Sequence, residues 1–270
     1  MSNILLAHAK LSDAATIYAP TGESDQSYAP VTNLQKIQPK DVWQTQGVAS
    51  TIKRDVDLLA GASYNLVALL FTNASSTATW TLSTGTNGLT FGTTLISGQS
   101  FRAGGQSTES GTRWHGFYYS STAITDRYLR IQISDTSNAD GYFRAGRLVV
   151  ASGYQPTTNM LYGMAFGFED LSTRTLTTAG ETITRRIEPV PTVRFTLEAA
   201  GTGAEAEVYN SIHALARRQG SSRDVLAILD PSDSTYGGAK IYYGLLQPGV
   251  AIEVPSYNLY RTTYQITGLL

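Results

Sequence analysis

Alternation of apolar and polar residues is the strongest constraint that this sequence places on its fold. Every second residue is apolar at 78–83, 128–133 and 193–197, which is the pattern of a strand with one face buried. Residues 64–71 form a nearly continuous apolar run, as expected for a strand buried on both faces. These segments predict a mostly β protein.

One segment, at about 204–219, has the periodicity of an α-helix instead. Four apolar residues fall on one face of this helix: Val208, Ile212, Leu215 and Ala216. Glutamates near its start and arginines near its end complement the helix dipole, and Gly220 is placed to end it. We therefore predict one packed helix in the second half of the chain.

The length of 270 residues suits two domains. A stretch at 152–163 that contains Ser, Gly and Pro is typical of a linker. We predict a first domain at 1–152 and a second at 153–270, the second holding the helix. Each is long enough to bury a core without disulfide bonds.

Charge is scarce, since charged residues make up 15% of the chain against an average of about 25%. The formal net charge is −1, and phosphate binding needs a positive field, so we do not expect a nucleic acid partner. A polar, weakly charged surface fits packing against other protein, but it fits an ordinary β-protein surface equally well.

The chain contains no cysteine, which excludes disulfide scaffolds, thiol catalysis and cysteine-based zinc sites. No secretory signal is visible at its start, and no window reaches the roughly 20 apolar residues of a membrane span. We expect a protein that is made in the cytoplasm and does not insert into a membrane.

No catalytic arrangement emerges from the residues. Histidine occurs only at positions 8, 115 and 213, without the spacing of a helical zinc site, and no Gly-x-Ser-x-Gly motif is present. The nearest carboxylate pairs are Glu169–Asp170 and Asp230/Asp233, for which strand and turn roles are the simpler explanation. We predict a non-enzyme with no cofactor and no metal.

The stretch Asp135–Gly141 is rich in oxygen ligands. Ala139 stands where a helix-loop-helix calcium site needs an oxygen donor. A turn is therefore favoured, with a cation site as the alternative.

Aromatic residues give the first half its one candidate binding site. Trp114, His115 and Tyr118 lie close together in sequence, and exposed aromatic rings can stack on sugar faces. Trp43 and Trp80 are better explained as core residues, and a structural role is the alternative for His115.

Three groups of residues occur in order along the first half. They are Pro30-Val31-Thr32-Asn33-Leu34 with Val42-Trp43, then Asp55–Leu59 before the strand 66–71, then Tyr128–Asp135 with Gly141-Tyr142 and Gly146-Arg147-Leu148. This set resembles the discoidin-like (galactose-binding-like) jelly roll, in particular the versions found in bacteriophage tail proteins, over roughly residues 1–152.

The second half resembles tail-tube-like and distal tail modules of phages. The similar residues are Arg185-Arg186, the strand 193–197, the helical residues 213–216 and the segment 225–231. This resemblance implies a small β-barrel-like domain with one packed helix, which forms a ring at the end of a long non-contractile tail. Distal tail proteins place the ring-forming domain first, whereas here it comes second.

The favoured hypothesis from these resemblances is a structural virion protein of the tail tip, or baseplate. It would form a ring, with six subunits favoured over three, and would contact the tail tube protein, the hub and other tail-tip proteins. The alternative is a carbohydrate-binding host-attachment module that uses Trp114, Tyr118 and His115. A third hypothesis, an enzyme acting on host polysaccharide, would require a function for Glu169 or Asp170.

Overall fold

The structure is a computed structural model that describes residues 2–20, 23–47, 51–88, 90–102, 114–178 and 180–269. The strands of the first half are β1 (Leu5–Ala7), β2 (Thr16–Tyr18), β3 (Trp43–Gln44), β4 (Ile52–Asp57), β5 (Tyr64–Thr72), β6 (Thr79–Gly85), β7 (Thr93–Ser100), β8 (Trp114–Ile124), β9 (Tyr128–Ser134), β10 (Arg144–Ala145) and β11 (Arg147–Ala151). Those of the second half are β12 (Ala165–Glu169), β13 (Thr173–Leu176), β14 (Thr182–Arg185), β15 (Val190–Ala200), β16 (Asp224–Ile228), β17 (Ile241–Leu246), β18 (Ile252–Ser256) and β19 (Leu259–Gly268). The predicted mostly β class is confirmed.

The predicted helix at 204–219 is confirmed, with one irregular turn. Helix α1 (Ala204–Glu207) continues through a π-helical turn (Val208–Ile212) into helix α2 (His213–Gln219). The hydroxyl of Tyr264 donates to the carbonyl oxygen of Ile212 at 2.7 Å. Burial raises the pKa of this hydroxyl, so it remains a donor for a carbonyl in the widened turn. Short 3₁₀ helices lie at Leu11–Asp13, Val31–Gln35 and Gly237–Lys240.

The described chain forms two compact units that exchange short segments of sequence. The first consists mainly of Ala7–Gly153 and includes Asp230–Ile241, and the second consists of Ser2–Leu6, Tyr154–Leu229 and Tyr242 onward. The domain limits 1–152 and 153–270 stay a prediction. None of the described helices is long and apolar enough to cross a membrane.

The first unit is a β-sandwich of two antiparallel sheets. A five-stranded antiparallel sheet has the order β2-β4-β9-β6-β7, and a three-stranded antiparallel sheet has the order β11-β5-β8. The alternating apolar residues of both sheets share one core, which includes Leu82, Ile131, Val67 and Leu148. The alternation at 78–83 and 128–133 therefore predicted the buried faces correctly, because residues two apart on a strand lie on one face.

Two of the tryptophans belong to the core of the sandwich. Trp43 and Trp80 are buried in its core, which confirms the structural role predicted for them. The Gly-, Ser- and Thr-rich stretch 84–112 fits either a long loop or loosely paired hairpins by its sequence; in the structure β7 pairs with β6 there, and residues 103–113 lie outside the described part of the chain.

An arginine on the inner face of the sandwich is held by two carboxylates. Arg54 is opposite the core residue Ile131, and its side chain is only 3% exposed. Its guanidinium pairs with Glu23 and Asp25 and lies 4.7 Å from the ring centroid of Trp43. Asp25 also accepts a hydrogen bond from Nε1 of Trp43 at 2.7 Å. Charge neutralisation is required here because an unpaired buried ion is strongly unfavourable.

The second unit has a seven-stranded sheet in the order β1-β16-β17-β19-β15-β12, with β18 also paired to β19. The helix packs on this sheet and shares its core, as shown by the burial of Val208 and Leu215 with Phe195 and Ile266. Strands β13 and β14 pair with each other in a separate hairpin that follows β12.

Replacing Arg54 with Leu should destabilise the sandwich, because Glu23 and Asp25 lose the charge that they surround. We expect the free energy of unfolding to fall by about 3 kcal/mol. Urea denaturation followed by tryptophan fluorescence measures this, since all three Trp residues lie in the first unit.

Lys53→Leu is the matched control, because Lys53 is the adjacent residue and its side chain is directed to the other face of β4. We expect that change to alter stability by less than about 0.5 kcal/mol. Equal effects of the two substitutions would contradict a special role for Arg54.

Candidate functional site

The three predicted sugar-contacting residues all lie on β8, but they do not form one surface. Tyr118 is paired with the core residue Val67 and packs against the sandwich core. Trp114 shares this side of the strand, because it is four residues from Tyr118, whereas His115 is directed to the opposite side. All three are half-buried.

Trp114 is covered on one ring face by an arginine. The guanidinium carbon of Arg102 lies 3.5 Å from the centroid of the Trp114 ring, and its Nε donates to the carbonyl oxygen of Ala74 at 3.0 Å. Burial lowers the pKa of Arg102. A ligand would therefore find one ring face of Trp114 already occupied by a cation–π contact.

His115 has a structural contact with the neighbouring strand. Its Nδ1 accepts a hydrogen bond from the backbone N–H of Phe71 at 3.1 Å, and the two rings meet edge to face with centroids 4.9 Å apart. Phe71 has a positive φ of 58°, which is unusual for a residue with a side chain. The imidazole thus stabilises the irregular backbone conformation of Phe71 in β5.

The sequence did not reveal a group of charged and aromatic residues on the outer face of the five-stranded sheet. We call Tyr18, Asp55, Asp57, Tyr128 and Arg130 the polar face. Pairing of β2, β4 and β9 places Tyr18, Asp55 and Arg130 side by side in one row, and Asp57 and Tyr128 in the next. The alternation of each strand was visible in the sequence, but the register that joins them was not.

Two bidentate ion pairs fix this polar face. Arg130 donates from Nε and Nη2 to both oxygens of Asp55 at 2.7 Å. Arg127 does the same to Asp57, at 2.6 and 2.7 Å. These hydrogen bonds raise the pKa of each arginine and lower the pKa of Asp57. The Asp57 carboxylate therefore stays charged, which suits binding of hydroxyl groups but not proton donation.

Aromatic rings lie beside these ion pairs. The guanidinium carbon of Arg130 is 4.1 Å from the centroid of the Phe91 ring. Burial, followed by the charge of Asp55, raises the pKa of the Tyr18 hydroxyl, so it remains protonated. Gly88 comes so close that an added Cβ would lie 3.2 Å from both Tyr18 and Tyr128. The arrangement combines ring surfaces with fixed donors and acceptors.

The oxygen-rich stretch Asp135–Gly141 forms a turn held by hydrogen bonds. The Asp135 carboxylate accepts from the backbone N–H of Ser75 and from Nδ2 of Asn138, both at 3.0 Å. The N–H of Gly141 donates to the carbonyl oxygen of Asn138 at 3.2 Å. The described residues contain no cluster of three or more His, Cys, Asp or Glu side chains able to hold a metal ion.

Of the acidic residues considered for catalysis, Glu169 ends β12, whereas Asp170, Asp230 and Asp233 lie in connections between strands. The N–H of Ser172 donates to Asp170 at 2.9 Å, and hydrogen bonds from Ser172 lower the pKa of this carboxyl. Lys240 and two backbone N–H groups lower the pKa of Asp233 to about 2. Carboxyls with such low pKa values are poor proton donors near neutral pH.

The second unit exposes apolar side chains at one edge of its sheet. Phe166 and Phe168 on β12 are 69% and 77% exposed. Phe166 is paired with Val193, which is buried in the core, so both phenylalanines are directed to the core side of the sheet. We call these two residues the apolar edge.

No protein-family model matches the chain, and no curated protein matches it. Solved structures match 54% of it, at TM-scores near 0.4. One is the CBM32-1 module from a family 31 glycoside hydrolase of Clostridium perfringens, with 12% identity, 99% of that chain covered and a TM-score of 0.40. Another is a chitosan-binding module from a chitosanase/glucanase of Paenibacillus sp. IK-5, with 16% identity, 100% of that chain covered and a TM-score of 0.39. A third is the family 32 CBM of C. perfringens NanJ in complex with galactose, with 15% identity, 98% of that chain covered and a TM-score of 0.38. Sugar binding is a property of those proteins, and a match at this level does not extend it to this chain.

Asp57→Asn should change how the stability of the sandwich depends on pH. The hydrogen bond from Arg127 holds the pKa of Asp57 below its usual value of 3.8, so the charged carboxylate stabilises the fold above that value. This contribution is lost as the pH falls through the lowered pKa. We expect the variant to be less stable than the wild type at neutral pH, and the difference to shrink below pH 3.8 and to vanish below the lowered pKa of Asp57.

Urea unfolding at a series of pH values, followed by tryptophan fluorescence, measures this difference. Asp41→Asn is the control, because Asp41 forms an exposed ion pair with Lys36 at 3.5 Å and such pairs contribute little. A difference for Asp57→Asn that persists unchanged in acid would contradict the assignment.

Proposed function

We propose that this chain is a non-catalytic assembly protein that forms a ring at the tip of a long non-contractile phage tail. The observation that supports assembly is the apolar edge of the second unit. The tail tip location, and contacts with the tail tube protein and the hub, rest on the resemblance of the residues to phage tail proteins.

Two features of the apolar edge are typical of a surface that another polypeptide covers. Phe166 and Phe168 are mostly exposed on the core side of the sheet, and full burial of one Phe side chain contributes about 1.5–3 kcal/mol. Among the described strands, β12 pairs only with β15, so one row of its backbone groups is open to another strand. Both features favour contact with a further polypeptide.

The hairpin β13–β14 also favours contact with a further polypeptide. Every residue of both strands is exposed, including Leu176 and Ile183 on its two faces. A two-stranded hairpin is marginally stable alone in water. Contact with a neighbouring subunit would stabilise it.

Among the strands that the structure describes, β18 is a second one with an open side. Strand β18 pairs with β19, on the side away from β15, and its Val254 is 59% exposed. Two different edges on opposite sides of one sheet favour a head-to-tail contact, which closes into a ring or continues as a filament. A ring of six subunits is the proposed closure, with three as the second choice.

Light scattering after size-exclusion chromatography tests the ring. We expect the wild type to have the mass of six subunits. Phe166→Ser combined with Phe168→Ser should weaken assembly about tenfold or more, because it removes apolar area from each contact.

Tyr236→Ser is the matched control. It removes an equally exposed aromatic side chain from the first unit, so the mass should stay unchanged. A wild type that remains monomeric at high concentration would sink the proposal.

The second candidate function is carbohydrate binding by the sandwich. The polar face favours it, because sugar hydroxyls hydrogen-bond to fixed, partly exposed groups such as Asp57 and Arg130 while a ring such as Phe91 packs on the sugar face. The other proposed contacts are on β8, where Trp114 and Tyr118 share one side and His115 lies on the other.

A glycan array, followed by titration of any glycan that binds, tests this function. We expect Phe91→Ala to lower affinity about fivefold, and Trp114→Ala to have less effect because Trp114 lies on β8 in the three-stranded sheet, whereas the polar face belongs to the five-stranded sheet. The opposite order would assign the site to β8, and a wild type that binds no glycan would remove carbohydrate binding altogether.

A further inference from the structure

A groove of about 420 Å³ lies between the end of helix α2 and the connection from β17 to β18. Its residues include His213, Arg217 and Ser221 on the helical side, and Leu246, Gln247 and Val250 on the other. We call it the basic groove.

The basic groove has an apolar floor and a basic rim. Leu246 and Val250 supply the floor, whereas His213 and Arg217 are exposed and lie one helical turn apart on the same face. Its lining contains an arginine and a histidine but no carboxylate. Such a lining suits a segment that carries both carboxylates and apolar side chains.

A segment of this composition lies at the end of β12. Residues 168–171, the acidic corner, place Glu169 and Asp170 between Phe168 and Leu171, and all four are exposed. The N–H of Ser172 donates to the Asp170 carboxylate at 2.9 Å, so Asp170 already caps the turn. Glu169 is the carboxylate better placed for a partner.

Sheet topology indicates where this corner would meet another copy. Strand β12 is antiparallel to β15, β15 is antiparallel to β19, and β19 is antiparallel to β18. Strands β12 and β18 therefore run in opposite directions. When the sheet continues from one copy to the next, β12 meets the next copy's β18 as an antiparallel pair.

Antiparallel pairing places the end of β12 beside the start of β18. Glu169 is the last residue of β12 and Ile252 the first of β18. The groove residue Val250 is two positions before Ile252, about 7 Å along an extended chain. The acidic corner of one subunit thus comes to the mouth of the basic groove of the next.

We propose that the acidic corner of each subunit binds in the basic groove of its neighbour, with Glu169 paired to Arg217. This inference rests on the proposed ring. It identifies a contact that fixes the head-to-tail arrangement of the subunits. The charges oppose a contact between two grooves or between two corners, and so favour head-to-tail assembly.

Charge reversal with exchange tests this contact in the full-length protein. Arg217→Glu and Glu169→Arg should each raise the dissociation constant of the assembly about tenfold. The variant that carries both changes should regain most of the wild-type affinity. At every contact the positive charge then lies on the acidic corner and the negative charge in the groove, so the two still attract each other.

Arg218→Glu is the matched control. This substitution makes the same charge change at the next helical position, and Arg218 does not line the groove. We expect it to leave the mass distribution near that of the wild type. Analytical ultracentrifugation over a range of concentrations measures all four variants, and circular dichroism confirms that each is folded.

The outcomes separate this inference from the proposed function. A wild-type ring that Arg217→Glu weakens no more than Arg218→Glu, or that the double exchange fails to restore, would overturn the groove contact and leave the ring in place. A monomeric wild type would overturn both.

Discussion

The buried guanidinium of Arg54 is the interaction around which the sandwich is organised. A cation on the inner face of a β-sandwich is tolerated only with opposite charges beside it, and Glu23 and Asp25 supply them. Those residues belong to an irregular segment with few strands of its own. Their attachment to Arg54 brings Trp43 onto the guanidinium and into the core, so that an early loop becomes part of the sandwich.

Local patterns in the sequence predicted much of this fold because they depend on residues near one another. The alternation at 128–133 and the helical face at 204–219 both survive in the structure. The polar face did not emerge in this way. Asp55 and Arg130 are 75 residues apart, and their contact depends on the register between two strands, which neither strand encodes alone.

The site predicted on β8 illustrates the same limit. Closeness in sequence suggested that Trp114, His115 and Tyr118 act together, but a strand directs adjacent side chains to opposite faces. The partners of these residues, Arg102 and Phe71, come from elsewhere in the chain. The apolar edge could not be read from the sequence either, because Phe166 and Phe168 look like ordinary alternating strand residues until their exposure is known.

The exchange of segments between the two units has a consequence for how the chain is made. Strand β1 lies next to β16 in the sheet order, although most of the chain separates them in sequence. A ribosome synthesises β1 long before its neighbour β16, while domains generally begin to fold from the N-terminal side. The second unit therefore completes this part of its sheet with a strand synthesised long before β16, and β1 can pair with β16 only after most of the chain has been made.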